Sequence, residues 1–194
     1  MEKRTGKLFI LSGPSGSGKT TLLRHLLRAK GLRGKLIKSV SLTTRAKRSA
    51  ERQGRDYFFI SKEEFGRRQR AQKILEWTRY LGYYYATPKE TVENYLKRGK
   101  HIGMCLDLKG ALRIKRLYPG NAVTIFILPP SIKALKERIA KRCHKTKQEE
   151  IAKRLELARE ELAGQVKYDY CVVNKNLTES TEELTGIMLR EMHS

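Results

Sequence analysis

Residues 13–20, Gly13-Pro14-Ser15-Gly16-Ser17-Gly18-Lys19-Thr20, fit the pattern G-x-x-x-x-G-K-[ST]. Their setting constrains the chain more than the pattern does. The apolar run Leu8-Phe9-Ile10-Leu11 precedes them, and Leu22, Leu23, Leu26 and Leu27 follow at helical spacing. A buried strand therefore delivers the chain to the loop and a helix N-terminus receives it. Successive backbone N–H groups then point inward at an anion, with the helix dipole behind them. The three glycines leave room for phosphate oxygens and tolerate positive φ. Lys19 can reach the β- and γ-phosphates of a nucleoside triphosphate, and the Thr20 hydroxyl can ligate Mg2+. The bland alternative, a Gly/Ser-rich turn with an incidental lysine, does not explain the strand and helix on either side.

The rest of the chain alternates strands and helices. A helix over 20–29 is followed by a strand at 36–41, a polar basic stretch at 43–56 and a strand-like Tyr57-Phe58-Phe59-Ile60. Ser61-Lys62-Glu63-Glu64 is a capping box opening a helix. Strands at 74–78 and 80–86 surround a turn at Gly82, and Thr87-Pro88-Lys89-Glu90 is expected to start a helix with Thr87 as N-cap. Strands at 101–106, 122–128 and 168–174 alternate with helices at 110–117, after Ser131, after Thr146 and after Ser180. Ile132, Leu135 and Ile139 are expected to face inward. This pattern predicts an α/β fold with a parallel sheet covered on both faces, carrying a small mixed lobe.

One domain accommodates all 194 residues. The expected division is a core of 1–37 and 88–194, a lobe of 38–87 and a lid over about 138–154. No apolar run is long enough to span a membrane, and a strand begins almost at the N-terminus, so no signal peptide is expected. Cys105, Cys143 and Cys171 form neither a C-x-x-C nor a disulfide framework, which points to reduced thiols and a cytoplasmic setting. The net charge of +22 exceeds what two anionic nucleotides need. Without an RNA-binding motif, the surplus implies non-specific nucleic-acid contact at most.

A second anion site is expected at Ser41-Leu42-Thr43-Thr44-Arg45-Ala46-Lys47-Arg48, where arginines and hydroxyls at a strand end could grip a phosphate monoester; a solvated basic loop is the alternative. This stretch, with Gly54-Arg55-Asp56-Tyr57-Phe58-Phe59, Leu75-Glu76-Trp77, Tyr84-Tyr85-Ala86-Thr87, Leu106-Asp107-Leu108-Lys109-Gly110 and Ile127-Leu128-Pro129-Pro130-Ser131, resembles guanylate kinase. The similarity continues through Arg154-Leu155 to Tyr168-Asp169-Tyr170 and Val173-Asn174, in order and over nearly the whole chain.

The resemblance implies a P-loop kinase fold and the reaction ATP + GMP → ADP + GDP, with Mg2+ bridging the ATP phosphates. It implies that Gly13, Pro14, Ser15, Gly16, Ser17, Gly18, Lys19 and Thr20 hold ATP, with Thr20 on the metal and Asn174 near the adenine or ribose. Ser41, Arg45, Arg48 and Tyr57 are similar to the GMP-phosphate clamp. Glu76 is similar to the guanine reader, Thr87 to the contact at O6, and Tyr85 and Asp107 to the same pocket. Lys19, Arg45, Arg138, Arg142 and Arg154 are the implied charge-neutralising catalytic set. A carboxylate accepts from both guanine N1–H and the 2-amino group, whereas adenine lacks both donors; each unpaired buried group costs about 1–3 kcal/mol. The implied partners are ATP and GMP, with no membrane and a monomer or weak homo-oligomer.

The chain also departs from the family pattern. Lys47 stands where proline is usual, which should loosen the clamp loop, and Ala86 stands where glycine is usual, costing on the order of 1 kcal/mol if that residue needs positive φ. Cys105 replaces a carboxylate, leaving Asp107 as the strand-end acid near Mg2+ and the clamp arginines. Lys109 replaces glutamine, and the 143–147 link is one residue longer than usual. Rival readings are a non-catalytic guanylate-kinase-like interaction module, a related small-molecule kinase and a nucleic-acid-binding protein on the same scaffold.

Overall fold

A computed structural model describes residues 5–142, 148–163 and 168–194. Five parallel strands form the central sheet in the order β2-β7-β1-β8-β9: β1 (Leu8–Ser12), β2 (Leu36–Lys38), β7 (His101–Cys105), β8 (Ala122–Leu128) and β9 (Tyr170–Val173). β1 and β8 are the most apolar segments because they lie inside the sheet and are covered on both faces. One core, around Phe9, Leu11, Ile125 and Ile127, packs under α1 (Lys19–Leu26) and α7 (Leu177–His193). The other, around Leu8, Ile10, Ile102 and Met104, packs under α3 (Lys89–Lys97) and α4 (Leu108–Leu117). From β1 the chain passes through α1 on one face to β2, while α3 and α4, on either side of β7 in the chain, cover the other face. The loop after β1 therefore lies at a topological switch point, where α/β sheets bind ligands.

A separate four-stranded mixed sheet, β4-β3-β6-β5, comprises β3 (Leu42–Thr43), β4 (Phe58–Phe59), β5 (Ile74–Tyr80) and β6 (Tyr83–Pro88). Helix α2 (Lys62–Arg70) covers it, with Phe65 stacked on Tyr84 and edge-on to Trp77. Ser61 caps α2 by accepting from the Glu64 N–H, as the box predicts. Leu75 joins the second core, and Arg113 of α4 donates to the Leu75 carbonyl at 2.7 Å, fixing this sheet to the central one.

Several expected boundaries move. β2 ends at Lys38 instead of 41, because residues 39–41 cross from one sheet to the other. Helix α4 begins two residues early, at Leu108, because Asp107 accepts from the Gly110 N–H and caps it. Thr87 is not an N-cap: β6 pairing runs on through Pro88, which precedes α3, and Thr87 lies across from Glu76. Helix α7 starts at Leu177, because the Asn176 carboxamide accepts from Thr178 and Glu179, while Ser180 is buried inside the helix. In α5 (Ile132–Arg142) Leu135 and Ile139 are buried as expected, but Ile132 is 45% exposed in the first turn. The cap expected at Thr146, ahead of α6 (Gln148–Ala163), and the 143–147 link lie outside the described residues.

Ala86 carries no strain. It is fully buried within β6, paired with Leu42 and Trp77, and is absent from the positive-φ residues among those described. Ala86→Gly is therefore expected to destabilise the protein by about 1–2 kcal/mol, through lost methyl burial and added chain entropy. Urea unfolding measures this; a stability gain would mean that alanine strains the strand.

Candidate functional site

The phosphate loop runs from the end of β1 to the start of α1. Gly13, Gly16 and Gly18 all have positive φ, and two of them are also enclosed from behind. A Cβ on Gly13 would meet the Ile127 carbonyl at 2.4 Å, and one on Gly18 would meet Asn174 Nδ2 at 2.3 Å. Lys19 Nζ folds back over the loop, donating to the carbonyls of Gly13 at 2.5 Å and Pro14 at 2.9 Å. Thr20 is exposed in the first turn of α1. Ser17 Oγ is fully buried beneath the loop and finds no hydrogen-bond partner among the described residues.

Asn174 lies behind this loop. It is 6% exposed and donates to the Ser17 carbonyl at 2.7 Å, so its side chain supports the loop and is turned away from open solvent. Its own carbonyl accepts from Arg138 Nη2 at 3.1 Å, and the buried Arg138 Nη1 has no partner among the described residues. Arg142 ends α5 and Arg154 lies within α6; of the lid expected over about 138–154, residues 143–147 lie outside the described residues.

Glu76 is the buried acid of the second sheet, 3% exposed. A register shift between Ile74 and Glu76 leaves Leu75 as an extra residue, so two successive side chains are buried. Such bulges re-aim side chains beside functional sites. Thr87 Oγ1 donates to Glu76 Oε1 at 2.5 Å. Helix α4 approaches the other oxygen closely: a Cβ on Gly110 would meet Glu76 Oε2 at 2.6 Å. Burial pushes the Glu76 carboxyl up to about 7, against the Thr87 hydrogen bond, with Asp107 adding to the rise and Arg113 opposing it.

The clamp loop is anchored by its two threonines. Thr43 Oγ1 donates to the Tyr84 carbonyl at 3.0 Å and accepts from the Arg45 N–H at 3.2 Å, while Thr44 Oγ1 accepts from the Tyr84 N–H at 2.9 Å. The Arg45 guanidinium lies 5.6 Å from the centroid of the Tyr57 ring and 5.8 Å from that of Phe59. Tyr57 in turn packs edge-on against Tyr85 at 5.9 Å. Ser41 is half-buried at the entry to β3, and its carbonyl accepts from the Phe58 N–H. Arg48 is exposed.

Two residues at the carboxyl end of β7 stand between loop and clamp. Cys105 is half-buried, and desolvation pushes its thiol up to about 11, opposed by the charges of Lys19 and Lys38 and a hydrogen bond with Thr20. It stays a neutral thiol at the position where the family pattern carries a carboxylate. Asp107 has one oxygen committed to Gly110, and its charge raises the Glu76 carboxyl. It therefore serves the buried pocket of the second sheet as well as the strand end.

A family model described as guanylate kinase matches residues 5–191 of this chain. The chain belongs to the guanylate kinase family. A guanylate kinase of Bartonella henselae is 43% identical over 189 residues, covering 97% of this chain and 83% of the relative. One of Thermotoga maritima is 41% identical over 186 residues, covering 96% and 87%. Among solved structures, the crystal structure of guanylate kinase from Anaplasma phagocytophilum superposes with a TM-score of 0.82 at 30% identity, covering 99% of this chain and 89% of that one.

Two further acids, which no sequence motif marks, lie beside the loop and the clamp. Glu51 accepts from Arg45 Nη2 at 2.7 Å and from the Arg48 N–H at 2.9 Å. Burial raises the carboxyl of Glu161 of α6, and the charge of Lys19 and the Ser15 backbone oppose the rise. The only signal for Glu51 was an acid within a strongly basic run. Glu161 comes from a helix far away in sequence, and no local pattern marks it.

Proposed function

We propose that this chain transfers the γ-phosphoryl group of ATP to GMP, with residues 13–20 as the donor site and residues 38–87 as the acceptor lobe on a core of 1–37 and 88–194. The observation that carries this reading is the buried Glu76–Thr87 pair on a lobe that also presents Arg45 beside Tyr57. A charged carboxylate would meet guanine N1–H and the 2-amino group, and the Thr87 hydroxyl, which here donates its one proton to Glu76, would turn that proton to O6. Base identity and phosphate position are then read by one sheet.

In the reaction a GMP phosphate oxygen attacks the γ-phosphorus in line. The new O–P bond forms as the bond to the β–γ bridging oxygen breaks, giving GDP and ADP. Such transfers need little covalent work from the protein; positioning and charge neutralisation dominate. Lys19 would leave its loop carbonyls for the phosphates, and Arg45 and Arg48 would neutralise the acceptor. Arg138, whose Nη1 has no partner among the described residues, would turn it to the moving group.

Mg2+ fits this site. Among the described residues no cluster of three His, Cys, Asp or Glu could hold a metal, and magnesium in kinases is held by phosphates, waters and one or two protein oxygens. Thr20 would supply such an oxygen, and the ion would neutralise charge on the phosphates. The substrates ATP and GMP are the partners this reading requires. Among the described residues no helix is long and apolar enough to cross a membrane.

Incubation with Mg-ATP and GMP is expected to give ADP and GDP in equal amounts, resolved by ion-exchange chromatography. ATP consumption indifferent to GMP would overturn the reading and favour a non-catalytic module.

A further inference from the structure

Glu51 has no part in the chemistry above, yet it is the most connected group of the clamp loop. Its carboxylate binds both arginines at once, through the Arg45 side chain and the Arg48 backbone. Its own N–H donates to the Arg48 carbonyl at 3.1 Å, and its carbonyl accepts from Lys47 Nζ at 3.3 Å. Residues 45–51 are thereby closed into a loop at both ends. The ion pair is well shielded, with side chains 12% and 17% exposed. Shielded, bidentate use of a carboxylate distinguishes it from a surface salt bridge of little worth. Although desolvation pushes the other way, Arg45 and the Arg48 N–H hold the Glu51 carboxyl below the usual range, so it is charged at neutral pH.

Arg45 is thus fixed from several sides. Nη1 donates to the Ala46 carbonyl at 2.7 Å, and two aromatic rings flank the guanidinium. We propose that Glu51 is a positioning residue for the GMP phosphate, holding Arg45 and the Arg48 segment in the geometry that receives it. The inference rests on the reading of Arg45 and Arg48 as the phosphate clamp.

An opposite role is conceivable, in which Glu51 is an internal anion that the phosphate must displace. The two roles differ in sign, since losing a competitor tightens GMP binding and losing a brace weakens it. The contacts favour the brace. A guanidinium has five N–H groups and Glu51 takes one edge of it. Its other oxygen takes a backbone N–H, leaving the exposed Arg48 guanidinium available to a ligand. Lys47, standing where the family pattern has a rigid proline, makes such a brace more necessary here.

The test compares Glu51→Ala and Glu51→Gln with the unmodified protein for GMP KM, ATP KM and calorimetric affinity for guanosine, which lacks the phosphate. Glu51→Ala is expected to raise the GMP KM about 10-fold or more, the scale of a lost charge-assisted contact. ATP KM and guanosine affinity should stay within about two-fold, and Glu51→Gln, which keeps one acceptor, should fall between. An unchanged GMP KM, a lowered one, or parallel losses for guanosine and ATP would overturn the proposal. If the unmodified protein failed to phosphorylate GMP, the clamp reading itself would fail, which is a separate result from an insensitive Glu51.

Discussion

Lys19→Ala is expected to lower kcat for GDP formation by about 10³-fold or more, because a preorganised cation on a transferring phosphoryl group contributes on that scale. Lys19 Nζ is held by the carbonyls of Gly13 and Pro14, so it is already close to where the β- and γ-phosphates would lie. No large reorganisation is needed when ATP arrives. The same geometry makes the substitution gentle on the fold, because the hydrogen bonds to Gly13 and Pro14 that it removes lie within the loop itself. Thermal unfolding should therefore shift little while turnover collapses. Retention of more than about a tenth of the kcat would show that the loop binds phosphate without contributing this charge to the transition state.

Glu76→Gln carries the second large effect, and it should act in opposite directions on stability and on function. Burial raises the folded-state carboxyl to about 7, well above the 4.5 of an unperturbed group. A raised carboxyl contributes stability that is fully present below the unfolded value and is lost as pH rises through the folded one. Wild-type stability should thus decline between about pH 4.5 and 7 through this group, by up to about 3 kcal/mol at ~1.4 kcal/mol per pKa unit. Glutamine keeps an acceptor for Thr87 and cannot ionise. Urea unfolding at pH 8 should accordingly find Glu76→Gln more stable than wild type by about 1–3 kcal/mol, with the gain shrinking toward pH 5.

Function should move the other way. The carboxamide presents an N–H2 group where guanine presents donors, so the GMP KM should rise about 10²-fold or more while the ATP KM changes little. Ionised Glu76 is the form that receives guanine, so wild-type GMP affinity should weaken below pH 7, and this component should vanish in the variant. Equal effects on both substrates would remove the base-reading role.

The legible parts of this molecule were those written locally. The phosphate loop, the capping box at Ser61 and the strand at 122–128 each depend on neighbours within a few residues, and each stands where the sequence puts it. Thr87 misled because two uses compete for one hydroxyl: a threonine before proline can cap a helix, but here a buried carboxylate across the strand claims it. The box at Ser180 lost to Asn176, whose carboxamide starts the helix earlier. The bulge at Leu75, which aims Glu76 into the pocket, has no local mark, because it is set by pairing with β6 and by the approach of α4 at Gly110. Glu51 meets its arginines within one loop, where an acid in a basic run has no set partner until the loop closes, and Glu161 meets Lys19 only through the tertiary fold.

Acceptor choice tests the central claim most directly. The measurement is kcat/KM with saturating Mg-ATP for GMP, IMP and AMP. IMP keeps N1–H and O6 but lacks the 2-amino group, and AMP lacks all three features. The account predicts GMP above IMP above AMP, with AMP at least about 10³-fold below GMP because buried acceptors would be left unpaired. Comparable values for GMP and AMP would contradict it, since Glu76 and Thr87 would then not be reading the base.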